Sequence, residues 1–232
     1  MFTVKYNGRS CDEVGLKVAK RPNIPTPQKR ITEIVIPGRS GALHIDEGAY
    51  EEIEIQIEFN FSENSGNWGA ALRSVRKWMH GSGDGRLIFS DDEQYFYKVS
   101  AVQTDGDTER NVKRLGYLTV IFVCDPFMYS LAGEEAIDLP CTLTNDGECS
   151  MPVYKITGEG LCTLSVNGKS VSVNVGQEIT IDTDLRLVFR GQAMENTAVT
   201  GDLSSLWLVT GENEIRITDG FAASVVPRWR YL

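Results

Sequence analysis

Glu52-Ile53-Glu54-Ile55-Gln56-Ile57-Glu58-Phe59-Asn60-Phe61 is the stretch on which the fold class turns. Its apolar residues, Ile53 to Phe61 by twos, alternate without a break with Glu52, Glu54, Gln56, Glu58 and Asn60. Successive side chains of a strand point to opposite faces, so this alternation predicts a strand with one buried and one wet face, as in antiparallel sheets. Turn signals lie to either side. Asn7-Gly8 separates the apolar runs at 2–6 and 14–18, Asp105-Gly106 follows a strand expected at 95–102, and Asn167-Gly168 separates 163–166 from 171–175. These dipeptides accept the positive φ angles of tight hairpin turns, and hairpins are expected there, above all at 167–168. One helix interrupts the strands. Trp68, Ala71, Leu72, Val75, Trp78 and Met79 recur at three- and four-residue steps, with Arg73, Ser74, Arg76 and Lys77 on the other face. Asn64, Ser65 or Asn67 suits its N-terminal cap, and Gly81 suits a left-handed end. At this spacing its two tryptophans read as core.

The chain changes character between about 125 and 140. Beyond that point only short apolar runs remain, at 154–157, 162–166, 171–175, 178–181, 185–189, 206–209, 214–217 and 223–226. Short strands with regular turns over about 100 residues predict a β-sandwich. The architecture expected is therefore mainly β: a domain at 1–130 with one helix, then a sandwich at 131–232. Pro22, Pro25 and Pro27 make 21–29 an extended arm or a surface loop, because proline fixes φ and removes backbone donors.

Composition excludes several classes. With 232 residues, 41% of them apolar, the chain can bury one large core or two modest ones, and disorder is excluded as its overall state. No apolar run approaches the roughly 18 residues of a membrane span. Met1-Phe2-Thr3-Val4-Lys5-Tyr6 lacks the pattern of a secretory signal. Lys and Arg number 23 against 32 Asp and Glu, a net charge of −9. Nucleic acid can pass near such a chain without being gripped by it.

Chemistry is sparse. Cys11, Cys124, Cys141, Cys149 and Cys162 are odd in number and form no CxxC pair, so reduced thiols are expected and a zinc site is not. His44 and His80 are the only histidines, and there is no Gly-x-Ser-x-Gly elbow for a nucleophile. His44 reads as a solvent-facing strand residue and His80 as a cation at a helix C-terminus. The 105–109 segment lacks the Gly and Glu of a calcium loop at the required places. The run 81–85 lacks the Lys-Ser/Thr of a phosphate loop. Arg110, Lys113 and Arg114 read as a polar hairpin loop. Neither catalytic residues nor a metal or cofactor are expected.

The order of motifs adds a resemblance. Ile36-Pro37-Gly38-Arg39-Ser40-Gly41-Ala42-Leu43 resembles the Pro-Gly-Arg-Asp-Gly-x-Leu block of the siphophage distal tail protein family, with Ser40 where Asp is usual. As in that family, the alternating strand at 52–61, a helix ending Trp78-Met79, the 85–91 strand and Cys124-Asp125-Pro126-Phe127 follow. The second half carries Asn145-Asp146-Gly147, Asn167-Gly168 and Gly211-Glu212-Asn213, and closes on Pro227-Arg228-Trp229-Arg230-Tyr231-Leu232. The resemblance implies a structural protein of a phage or prophage tail, made and assembled in the host cytoplasm and residing in the virion tail. It implies a six-subunit ring built by the N-terminal domain, a galectin-like C-terminal sandwich, and DNA passing through the channel without specific binding. The implied partners are further copies of the chain, the tail tube protein, the tail tip or baseplate protein, and the tape-measure protein; membrane insertion is not implied. Pro37, Gly38, Arg39, Gly41, Trp78, Pro126, Arg228 and Trp229 are the family-motif positions carried over as interface candidates. A carbohydrate-binding adhesin is the alternative reading, since lectin-like sandwiches stack sugars on exposed aromatic rings. Galectins use a histidine in their site, and the second half here has none.

Overall fold

The computed structural model describes residues 2–62, 67–104, 109–112 and 115–232. The Asp105-Gly106 turn, the 105–108 part of the calcium-loop candidate, the Asn64 and Ser65 caps, and Lys113 and Arg114 lie outside the described residues. The chain divides into two units, residues 1–128 with Leu232, and residues 129–231.

The first unit is built from β1 (Val4–Tyr6), β2 (Arg9–Ser10), β3 (Leu16–Val18), β4 (Lys29–Val35), β5 (Ala42–Tyr50), β6 (Ile53–Ser62), α1 (Trp68–His80), β7 (Arg86–Phe89), β8 (Tyr95–Thr104), β9 (Glu109–Val112) and β10 (Leu115–Ser130). Its main sheet runs β2-β1-β7-β8-β10-β6-β3, with β9 beside β10. The alternating stretch behaves as its period requires. Ile53, Ile55, Ile57, Phe59 and Phe61 are buried. They share a face with Cys124, Phe122, Val120 and Leu118, because β6 and β10 pair antiparallel with Ile53 opposite Cys124 and Phe59 opposite Leu118. Helix α1 closes this face with Val75, Trp78 and Met79. The Asn67 side chain accepts the Ala70 N–H at 3.1 Å and caps its start. Trp78 meets Tyr6, Phe59 and Phe122 edge-on, and its indole N–H donates to the Arg9 carbonyl at 3.0 Å. Aromatic pairs of this kind add about 0.5–1.5 kcal/mol each beyond the area they bury.

Two local expectations need correction. Gly81 is not left-handed; its φ is −68°. Glycine is required there for space, since a Cβ would stand 2.7 Å from the Lys77 carbonyl oxygen. The Asn7-Gly8 turn, with φ of 52° and 74°, joins β1 to the two-residue β2 and not to the 14–18 run. Ser10 caps the short helical turn Cys11–Val14 reciprocally with Glu13, which diverts the chain so that β3 pairs with β6 at the far edge.

The second unit contains β11 (Ile137–Asp138), β12 (Cys141–Asn145), β13 (Val153–Gly158), β14 (Leu161–Val166), β15 (Lys169–Asn174), β16 (Gln177–Asp182), β17 (Leu187–Arg190), β18 (Ala193–Met194), β19 (Val199–Thr200), β20 (Gly211–Ile217) and β21 (Ala222–Val226). They form two sheets, β11-β21-β13-β16-β17-β18 and β12-β20-β14-β15-β19. Tyr154, Ile156, Ile179 and Ile181 from the first sheet and Cys162, Leu164, Val173 and Ile215 from the second share one core, which makes this unit a β-sandwich. Tyr154 is wholly buried, and its hydroxyl donates to the Leu206 carbonyl at 2.7 Å. Asn167-Gly168, with φ of 51° and 80°, forms the expected hairpin between β14 and β15. The strand expected at 206–209 is absent. Asp202 instead caps the helical turn Leu203–Leu206, and the Asn213 side chain takes the N–H and C=O of Val209 at 2.9 and 2.7 Å. Side chains thus satisfy the backbone on either side of a single bridge between Leu208 and Ser150, in place of a ladder. No helix among the described residues is long and apolar enough to cross a membrane.

Candidate assembly surfaces

Strands β4 and β5 pair only with each other, in a two-stranded sheet apart from the main one. The register places Ile34 opposite Leu43 and Thr32 opposite Ile45 on one face. Ile31, Glu33 and Val35 stand opposite Asp46, His44 and Ala42 on the other. Neither face is covered. Ile34 (42%), Leu43 (39%) and Ile45 (44%) remain exposed on the more apolar face, and Val35 (78%) near the tip.

The base of the hairpin is clamped by charge. Lys29 donates to Asp46 at 2.7 Å, Arg30 to Glu51 at 2.9 Å, and the Glu51 N–H to the Gln28 carbonyl at 2.8 Å. Thr32 and Glu47 share a further hydrogen bond. The hydrogen bond from Lys29, helped by the Gly48 N–H, holds the Asp46 carboxyl below the usual carboxylate range, and Arg30 does the same to Glu51. His44, exposed on β5 as expected, faces Glu33 at 3.4 Å.

The candidates Pro37, Gly38, Arg39 and Gly41 all lie on the exposed tip of this hairpin. Gly38 and Gly41 turn the chain with φ of 83° and 79°, a conformation that costs other residues more. Arg39 has no ion pair among the described residues.

A second surface lies beside β6. The Ala19 N–H donates to the Glu58 carbonyl at 2.8 Å, and there the ladder with β3 stops. From Ile53 to Ile57, no strand among the described residues pairs with β6 on that side. A groove of about 300 Å³ follows, walled by residues 20–25 and by Glu54, Gln56 and Glu58. Arg21 on its wall is held by Asp91 at 2.6 Å.

The other candidates are not gathered with the tip. Trp78 is core. Pro126 is half-buried and lines a separate apolar recess with Ile24, Pro27, Ile53, Tyr97 and Met128. Arg228 and Trp229 tie down the end of the second unit. The Arg228 guanidinium grips Asp182 through both nitrogens, at 3.1 and 2.9 Å, and its own N–H donates to the Gly133 carbonyl at 2.7 Å. Trp229 packs on the sandwich core, and a Cβ on Gly133 would come within 2.4 Å of the Trp229 nitrogen. Sequence reasoning missed the hairpin as a unit. Its signal was present in Ile31-x-Glu33-x-Val35 against Thr32-x-Ile34, where both sets mix apolar and polar residues.

Among the described residues, no group of three His, Cys, Asp or Glu is placed to hold a metal ion. Cys11, Cys124 and Cys162 are buried, and burial pushes the Cys124 thiol up to about 12. At neutral pH such a thiol is almost wholly protonated and a poor nucleophile.

No protein-family model matches the chain, and no curated protein matches it in sequence. Among solved structures, the crystal structure of the SPP1 Dit (gp 19.1) protein, described as a paradigm of the hub adsorption apparatus in phages infecting Gram-positive hosts, matches it with a TM-score of 0.72. The match covers 100% of both chains at 13% identity. This mainly β chain, with a single α-helix among the described residues, shares the fold of that phage hub protein.

Proposed function

We propose that this protein is the distal hub of a phage tail, a structural component that joins the tail tube to the tip or baseplate. The observation that carries the reading is the fold match to SPP1 Dit over the whole of both chains. In this reading residues 1–130 build a closed six-subunit ring, and the sandwich at 131–232 stands outside it. The tail tube, tip and tape-measure proteins are its neighbours, and the virion tail is its location. DNA crosses the ring unbound. A net charge of −9 suits that duty, because phosphate binding depends on Lys and Arg displacing counterions. The role is architectural and involves no catalysis.

Electron microscopy of the full chain with its tail-tube and tip partners tests the proposal. Sixfold rings stacked on the end of the tube are expected; a chain that stays monomeric with both partners present overturns it. The adhesin alternative makes its own demand, micromolar binding to a cell-wall polysaccharide. Nothing tighter than about millimolar is expected, since hydrogen-bonding sugar sites need polar groups converging beside an open ring. Trp207 in the sandwich is only half exposed, with the Arg186 guanidinium 5.9 Å from its ring centroid.

A further inference from the structure

Resting on that reading and deepening it, we propose that the ring closes through one repeated contact. The tip of the β4–β5 hairpin of one copy seats in the groove between residues 20–25 and β6 of the next copy, and Arg39 meets Glu54 and Glu58 there.

The donor half follows from what the hairpin leaves unsatisfied. Its aliphatic residues have no cover within their own chain, and soluble surfaces seldom group such side chains without a partner. Its charges are unequally treated. Lys29 and Arg30 at the base are held by Asp46 and Glu51, whereas Arg39 at the tip is exposed and has no carboxylate partner among the described residues. A short turn set by Pro37, Gly38 and Gly41 presents this cation beside Val35 and Ile36.

The acceptor half has the complementary deficits. Backbone groups two residues apart on a strand point to the same side, so Glu54 and Gln56 direct theirs toward the side where Glu58 receives Ala19. No strand among the described residues takes them. Pro22 and Pro25 across the groove have no N–H with which to complete the ladder. Glu54 and Glu58 are exposed without an ion pair among the described residues, while Arg21 is engaged with Asp91 and Lys20 stands on the opposite wall. Ile24, 38% exposed, supplies an apolar contact for Val35 and Ile36.

The occupant is a second copy because both halves belong to the same unit of one chain and match in charge and polarity. A tip-to-groove contact is head-to-tail, so each copy gives one tip and receives another, and growth stops when the rotation closes. A reciprocal twofold exchange would also seat each tip in the partner's groove but would stop at dimers, which native masses separate from rings.

Charge reversal in the full-length protein tests the contact, followed by native mass spectrometry, with the tail-tube partner present if the wild type requires it. Arg39→Glu, and separately Glu54→Lys with Glu58→Lys, should each raise the concentration for half-assembly by about ten-fold or more, since like charges then face each other. Thermal melts matching the wild type establish that the variants are folded. An equimolar mixture of the two variants should recover rings containing equal numbers of each, because every tip meets an opposite groove only in strict alternation. Variants that assemble like the wild type, or a mixture that stays unassembled while the wild type forms rings, overturn this contact and leave the hub reading standing. A wild type that never closes into rings overturns both.

Discussion

In β14, Cys162, Leu164 and Val166 alternate with Leu161, Thr163 and Ser165, and the first set is entirely inside the sandwich. In the β4–β5 hairpin, Thr32 and Ile34 alternate with Ile31, Glu33 and Val35, and all five remain exposed. Both regions are antiparallel ladders, the hairpin's regular from Ile31 to Val35. The sandwich strands find their apolar counterpart across about 10 Å in the facing sheet, the usual spacing of packed sheets. The hairpin has no facing sheet among the described residues of its own chain. Alternation therefore encodes that a face is suited to burial, and leaves open which molecule buries it.

That contrast can be tested in order of expected effect. Leu164→Ala opens a cavity in a fully buried site and should destabilise the second unit by about 2–5 kcal/mol in denaturant melts. A loss under about 1 kcal/mol would show that the sandwich core is less closely packed than its burial implies. Asp182→Ala comes next. It removes the acceptor of the Arg228 fork and of the Asp184 and Leu185 N–H groups. Arg228 keeps 28% of its side-chain exposure, so the loss should fall at about 2–3 kcal/mol, below that of a fully buried pair. A matching loss in Arg228→Met would place the energy in the pair, whereas an unaffected Arg228→Met would place it in the turn at 182–185.

The hairpin should respond differently. Ile34→Ser with Leu43→Ser should shift the melt of the unassembled chain by no more than about 0.5 kcal/mol, the range of ordinary surface changes, while weakening assembly. A loss above about 1.5 kcal/mol would mean that this face is covered within the chain, and the contrast would fail. The smallest effect concerns the charged base. Asp46 and Glu51 have carboxyls lowered by Lys29 and Arg30, so their contribution is complete above the ordinary carboxylate range and is lost as pH falls through the lowered folded values. Both are fully exposed, so the effect should be local and weakened by salt. Hydrogen exchange at the Glu51 amide, corrected for its intrinsic pH dependence, should quicken on acidification while the global melt is unchanged.

Where a feature was legible in the sequence, its cause lay within a few residues. The 52–61 strand and the 68–80 helix were set by their periods, and the 167–168 hairpin by two residues that accept positive φ. Where local reading failed, a distant or competing group intervened. Ser10 and Glu13 ended β2 after two residues and sent β3 to the other edge of the sheet. Asp202 and Asn213 claimed backbone at and just before 206–209, where a strand was expected. The candidate surface divides the same way. Pro37, Gly38, Arg39 and Gly41 were marked out by the family resemblance, but the open edge of β6 had no such mark, because it depends on where β3 stops.

By itself, then, the sequence determined a mainly β chain with one amphipathic helix, a change of character near residue 130, and a tight hairpin at 167–168. Periodicity and φ preference are local properties, written in neighbouring residues. Only the tertiary structure decided that the Trp78 indole reaches the Arg9 carbonyl, that Arg228 closes on Asp182 across 46 positions, and that the hairpin at 29–50 stands uncovered while β6 keeps half an edge open. Those outcomes depend on which surfaces meet when distant segments collapse together, and contacts between distant segments leave no period in the chain for a local reading to find.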